Sequence, residues 1–350
     1  MKVITCASFY GSGSSALTDL IAEYDVVKDL TDYEFRFLHD MDGVSDLEFH
    51  LCECHNRHNS GHALKRFKRL VDYHSGNRLV TRYEPYFNGQ FRRLFERYIA
   101  DLTDFSYKGW WFYDPYDKGE NYYYVMQALN KLVTKLSFGK IKLFRNEITY
   151  CAHPTTEDFL VKTQSYVSAL LSAANPDGLP YIEIDQLLPS QHIERALRYI
   201  KEPIHVFVVD RDPRDIYILE KCYWQGAICP TDDAETFCDW FLYTRNSGAG
   251  QQLSHEQVTY LKFEDLIFHY EDMVARIEDQ TGLLPSQHTK AFSKFNPKRS
   301  VNNTQLWKKH PELMADMKII EQRLAAYLYP FEQVSTNQLP GVSPEVTAVF

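Results

Sequence analysis

Residues Lys2-Val3-Ile4-Thr5-Cys6-Ala7 form a short, nearly continuous buried-strand pattern. It breaks into Tyr10-Gly11-Ser12-Gly13-Ser14-Ser15, and a helical period then resumes at Ala16, Leu17, Leu20, Ile21 and Tyr24. Strand, glycine-rich turn and helix in that order open an α/β nucleotide-binding unit. Three further runs have the same character: Tyr181–Ile184, His205–Asp210 and Val258–Phe263. Strands this apolar suit a parallel sheet covered on both faces. Helical periods fall between and after them, over 156–174, 190–201 (Ser190 as N-cap) and 269–281, where Gly282 provides the stop. A last helix starts at Pro311 and ends before Pro330. Residues 40–138 do not follow the alternation and read as mainly helical.

The expected fold is therefore α/β: a P-loop-like three-layer arrangement with a central parallel sheet flanked by helices, plus a mostly helical insertion over about 40–138. A single domain over residues 1–330 is expected, with 331–350 as a loose tail lacking periodicity. At 350 residues and 44% hydrophobic, the chain is long enough to bury a large core.

Charge narrows the partners. Acidic residues outnumber basic ones 47 to 38, for a net charge of −9. Such a chain is not steered broadly onto nucleic acid or an anionic membrane, so an anionic ligand needs a local basic pocket. No basic-then-apolar leader is visible at Met1, and no apolar run approaches the roughly 18–20 residues of a membrane span. The seven cysteines are irregularly spaced. They read as reduced thiols, and the expected location is cytoplasmic. Aromatic residues reach 15%, with many between Tyr83 and Tyr124, which suggests a surface both apolar and hydrogen-bonding.

The turn at Gly11, Ser12, Gly13, Ser14 and Ser15 has the chemistry of an anion cradle. Small residues let the backbone wrap a phosphate, with main-chain N–H groups and a helix N-terminus pointing at it. A kinase-type P-loop also needs a lysine after the second glycine. None follows Gly13, which disfavours ATP chemistry. A plain Gly/Ser turn is the alternative reading.

A second signal lies at Val208-Val209-Asp210-Arg211-Asp212-Pro213-Arg214-Asp215. A strand end followed by this R-D-P-R-D run resembles the 3′-phosphate-binding motif of the sulfotransferases that use PAPS (3′-phosphoadenosine 5′-phosphosulfate). Tyr260–Leu266 is similar to that family's "RYEDL" strand and helix. Phe295–Asn303 with Trp307-Lys308 is similar to its C-terminal "S-x-x-N…W-K" segment. The resemblance covers the first 36 or so residues and about 180–330. It implies that Gly11–Ser15 hold the 5′-phosphosulfate and that Arg211 holds the 3′-phosphate, with Lys298 or Arg299 as a second cation. Glu34 occupies the approximate place of the catalytic base in the carbohydrate branch. Two positions depart from the family. Gly11 stands where a Lys or Arg usually stabilises the transferring group, and Leu219 stands where a phosphate-binding Ser is common. Arg36 and His39 are the nearest cations by sequence to replace the first.

Other clusters carry weaker signals. Cys52, Cys54, His55, His58 and His62 invite a zinc reading, but their spacing matches no closed zinc site, and no metal is expected. Lys65, Arg66, Lys68, Arg69, Arg92, Arg93 and Arg97 read either as solvated faces or as a surface for an anionic acceptor. Trp110, Trp111, Phe112, Tyr113 and Tyr122–Tyr124 read as core or as stacking platforms for sugar rings, hence the expected glycan acceptor. The alternatives are a nucleotide-sugar glycosyltransferase using Asp210 and Asp212 as a D-x-D metal site, and a non-catalytic nucleotide- or glycan-binding relative. The oligomeric state is not legible from these patterns.

Overall fold

The computed structural model describes every residue except 31–32, 57–58, 78, 110, 112, 247–255 and 334–350. It contains the strands β1 (Lys2–Cys6), β2 (Val27–Asp29), β3 (Phe105–Lys108), β4 (Ile148–Cys151), β5 (Tyr181–Glu183), β6 (Ile204–Asp210) and β7 (Val258–Lys262). Five of them form one sheet in the order β2-β5-β1-β6-β7, with every pairing parallel. The protein is α/β, with a central parallel sheet accompanied by helices.

β1 and β6 are buried in both alternating side-chain sets, so both sheet faces are covered. On one face Ile4, Cys6, Phe207 and Val209 pack against Leu17, Leu20 and Ile21 of the helix Ser14–Ile21 and against Leu266, Ile267 and Ile277. Ala16, Leu17, Leu20, Ile21 and Tyr24 are all buried, as their 3.6-residue period requires. Gly282 ends the helix Tyr270–Thr281 at φ +79°, a left-handed backbone that favours glycine. β2 was not anticipated, because three residues at a sheet edge are too short to show a period.

The chain divides into two compact units. The first comprises Met1–Phe35, Asp177–Leu197 and Glu202–Phe350; the second comprises Arg36–Pro176 and Arg198–Lys201. The second is longer at both ends than the expected insertion over 40–138. The helix Thr156–Ala174, expected to flank the sheet, belongs to it. There Tyr166 stacks on Tyr98 at 4.5 Å, and Thr163 meets the Tyr98 hydroxyl at 2.7 Å. Residues 198–201 join the same unit because Glu48, buried, accepts two bonds from Arg198 at 2.8 and 2.9 Å and one from the Tyr199 hydroxyl at 2.5 Å. The helix expected over 190–201 is accordingly confined to Ile193–Leu197.

The aromatic excess has two destinations. Phe37, Phe67, Tyr83, Phe87, Phe91, Phe95 and Tyr98 are buried and pack edge-on, forming the core of the second unit. Tyr113, Tyr116, Tyr122 and Tyr124 are exposed. The surface expected from composition is thus real only for the later half of the cluster. Trp110 and Phe112 lie outside the described residues, as do His58 and the tail from 334 onward. Phe331, expected to begin a loose tail, instead packs on Trp307 and Tyr329.

No helix among the described residues is long and apolar enough to cross a membrane. All seven cysteines are free thiols.

Candidate functional site

The sheet order places the carboxyl end of β1 between those of β5 and β6. The crossover to β2 leaves β1 in one direction, whereas the later crossovers run in the other. Ligands of open α/β sheets lie at such a switch point, beyond the carboxyl ends of the strands. The turn after β1 and the turn after β6 both open there.

The first turn is built by main-chain constraint. The Ala7 amide donates to the Phe207 carbonyl at 2.7 Å, and Ser8 Oγ accepts from the Val209 amide at 3.0 Å. The Ser12 amide and hydroxyl both donate to the Phe9 carbonyl, at 3.2 and 2.8 Å. Ser12 is buried, so its hydroxyl closes the turn rather than facing outward. Ser14 and Ser15 open the helix Ser14–Ile21, Ser14 half-buried and Ser15 exposed. Gly13 caps that helix at φ +85°, and no side chain caps its first N–H groups. An uncapped N-terminus at a turn of small residues is an anion-binding arrangement. A Cβ on Gly13 would stand 2.5 Å from Phe263 Cδ2, so the turn and that ring are in direct contact.

The same ring meets Arg211. Its guanidinium carbon lies 4.4 Å from the Phe263 centroid, so the guanidinium and Gly13 contact the same phenyl ring. Arg211 is 3% exposed. It donates through Nη2 to the Asn303 carbonyl, while its buried Nε has no hydrogen-bond partner among the described residues. A buried cationic donor without an acceptor is costly, and it marks a place where an acceptor fits.

Around Arg211 stand Asp215, Glu264 and Asp212. Asp215 accepts from the Gln305 and Leu306 amides at 3.0 and 2.7 Å, which ties the 301–309 segment to the motif. Glu264 Oε1 accepts from the Asp212 amide at 2.9 Å. Burial pushes the Asp215 carboxyl up to about 7 against the pull of Arg211. Burial, then the charge of Asp212, pushes Glu264 up to about 8.

Both groups bind protons more tightly folded than unfolded, so their contribution to stability is complete below about pH 4 and is lost as pH rises toward 8. Glu264→Gln keeps an acceptor for the Asp212 amide and removes one titration. Its melting temperature is expected to fall less than that of the wild type between about pH 5 and pH 8.5. Parallel melting curves for the two proteins across that range would show that Glu264 does not titrate as stated.

The remaining candidates are dispersed. Lys298 and Arg299 are exposed on the short turn Pro297–Ser300. Lys298 lines a cavity of about 420 Å³ with Phe268, Tyr270, Phe292 and Asn296. Arg299 Nη2 donates to the Lys294 carbonyl at 3.4 Å. Glu34 is exposed, and the neighbouring Phe35 amide donates to the Asp185 carbonyl at 2.9 Å, just beyond the carboxyl end of β5. Arg36 and His39 belong to the second unit, where Arg36 Nε pairs with Asp40 at 2.9 Å. Cys52 is half-buried and Cys54 exposed, and the His55 ring lies 4.1 Å from His153.

Asp210 and Asp212 both have partners within the fold. Arg245 binds Asp210 at 2.7 Å and Lys262 lies 3.7 Å from it. Against the upward push of burial, these cations hold the Asp210 carboxyl below its usual range. Asp212 caps the helix Pro213–Ile218, pairs with Arg214 at 2.7 Å and accepts from the Tyr329 amide at 2.9 Å.

Two features escaped the sequence reading. Arg245 lies 4.4 Å over the Phe9 ring, so a cation stands beside the first turn although Gly11 carries none. Nothing local to Arg245 signals this, since the pairing is made in space. Glu183, at the end of β5, is fully buried. Burial, then the charges of Asp185 and Asp29, push its carboxyl well above the usual range. Acids alternating with apolar residues in Tyr181-Ile182-Glu183-Ile184-Asp185 were its signal.

The chain matches no protein-family model and no curated protein.

Proposed function

We propose that the protein is a cytoplasmic sulfotransferase of P-loop-like three-layer fold. It moves the sulfuryl group of PAPS onto a hydroxyl of a carbohydrate. The observation that carries the proposal is the buried Arg211 guanidinium, with its unpartnered Nε, in contact with the same phenyl ring as an uncapped glycine turn. Two anion-binding groups this close fit the two phosphate ends of a single adenosine bisphosphate. The fork geometry of an arginine suits a phosphate monoester.

In the reaction the acceptor oxygen attacks sulfur, and the bond from sulfur to the 5′-phosphate oxygen breaks in line. Adenosine 3′,5′-bisphosphate (PAP) leaves as the anion, and the acceptor proton passes to Glu34. Charge on the leaving phosphate rests on the amides of Gly13, Ser14 and Ser15 and on the helix N-terminus. The protein's contribution is position and positive potential.

Two further observations bear on the choice. The pairing of Asp210 with Arg245 and of Asp212 with Arg214 weighs against a D-x-D metal site, because both carboxylates already have cations. Within the second unit, a cavity of about 740 Å³ is lined by Trp111, Tyr113 and Tyr116 with Asn59, His62 and Glu120. Aromatic faces beside polar groups suit a sugar. The basic residues nearby pair internally, Lys65 with Asp114 and Arg66 with Asp42 and Asp117. This favours a neutral sugar over an anionic one.

Thermal stabilisation by PAP is expected to exceed that by ADP or UDP at equal concentration. Glu34→Gln is expected to abolish transfer while PAP still stabilises the protein. Preference for UDP, or metal-dependent sugar transfer, would replace the proposal with the glycosyltransferase reading. PAP binding with no transfer to any carbohydrate would leave a nucleotide-binding relative.

A further inference from the structure

The helix Glu120–Leu136 in the second unit leaves an apolar stripe exposed. It has 17 residues, none of them buried. Its exposed side carries Val125 (56%), Leu129 (43%), Leu132 (52%) and Leu136 (70%). The side resting on the protein is mixed, with Gln127, Asn130, Thr134 and Ser137 half-buried beside Tyr123, Met126 and Val133. Local bonds tie the helix to the segment that follows it: Asn130 Oδ1 accepts from the Leu143 amide at 2.8 Å, and Ser137 Oγ accepts from the Ile141 amide at 2.9 Å. An amphipathic helix normally buries its apolar stripe, and among the described residues this one stays open.

The spacing identifies the shape of the occupant. Successive stripe residues are four, three and four apart, and Tyr122 extends the series by three toward the N-terminus. A 3-4 repeat is the seam of a left-handed helix pair, in which each residue fits a hole of a facing helix. The seam from Tyr122 to Leu136 is about 21 Å long at 1.5 Å per residue.

Charge identifies the partner. The start of the helix carries Glu120, with one lysine, Lys118, in the turn before it, whereas its end and the turn beyond carry Lys131, Lys135, Lys140 and Lys142, all exposed. Two copies set antiparallel about Leu129 bring each Glu120 end against the lysine end of the other. Their helix dipoles also oppose. A parallel pair would face lysine on lysine. A net charge of −9 disfavours an anionic membrane as the covering surface.

We infer that this face is an antiparallel homodimer interface formed by Glu120–Leu136 of two copies of this chain. It rests on none of the nucleotide chemistry proposed above. A seam this short gives a weak dimer, so sedimentation equilibrium of the full chain at about 100 μM is the appropriate measurement. The wild type is expected to contain dimer. The double variant Leu129→Lys with Leu132→Lys is expected to be monomeric with an unchanged melting curve, since both side chains are exposed. Under mild oxidation Leu129→Cys is expected to cross-link to its own copy beyond the wild-type background. Leu136→Cys is expected to link to Tyr122→Cys in a mixture but not to itself.

A wild type that stays monomeric, or a dimer that survives the double substitution, overturns the inference. So does a monomer that co-sediments with phosphatidylserine-containing vesicles through this helix. Self-linking of Leu136→Cys as efficient as that of Leu129→Cys overturns the antiparallel arrangement.

Discussion

Arg211→Ala is expected to weaken PAP binding about tenfold to a hundredfold, the worth of a charge-assisted bond of about 1.5–3 kcal/mol. Adenosine 5′-phosphate, which lacks the 3′-phosphate, is expected to lose little. The contrast between these two ligands is the informative quantity. Arg211 also holds the Asn303 carbonyl and stacks on Phe263, so its loss costs some stability whatever the ligand. A purely structural role would weaken both nucleotides alike, and that outcome in calorimetric titration would remove the 3′-phosphate assignment. Arg211→Lys keeps the charge but not the fork and is expected to fall between the two proteins.

Gly13→Ala is expected to be the most damaging single-methyl substitution at the first turn. The backbone stands at φ +85°, where an L residue costs about 1–2 kcal/mol. The added carbon would also stand 2.5 Å from Phe263, whose ring also contacts Arg211. Overpacking of this kind adds about 1–3 kcal/mol. The expected fall in melting temperature is about 4–20 °C for a unit of this size, and nucleotide binding is lost with it. Gly11→Ala is the internal comparison. Its φ of +73° carries the same backbone cost, but its nearest neighbour, Ile216 Cγ2, is 3.3 Å away and can shift. Thermal melts of the two variants should therefore separate. Equal melting temperatures would mean that the contact with Phe263 is not decisive. Phe263→Ala in the Gly13→Ala background should relieve the steric part and leave the backbone part.

The two substitutions probe two contacts of one ring. Phe263 follows β7, Gly13 follows β1 and Arg211 follows β6, yet all three meet at the carboxyl edge of the sheet. A stacked guanidinium keeps its charge while its hydrogen-bonding edge stays available.

What the sequence alone determined is local. The apolar runs at Lys2–Cys6, Ile204–Asp210 and Val258–Lys262, the turn at Gly11–Ser15, and the stop at Gly282 follow from residue type and period within a few positions. Tertiary structure decided what depends on distant neighbours. Helix Thr156–Ala174 has a sheet-flanking pattern but packs on Tyr98, because an apolar stripe does not specify which surface it covers. Arg245 reaches Phe9, and Glu264 becomes a neutral buried acid, because burial and partner charge exist only after the chain closes. The segment over Glu120–Leu136 reads as helical, but only the fold shows Val125, Leu129, Leu132 and Leu136 facing outward.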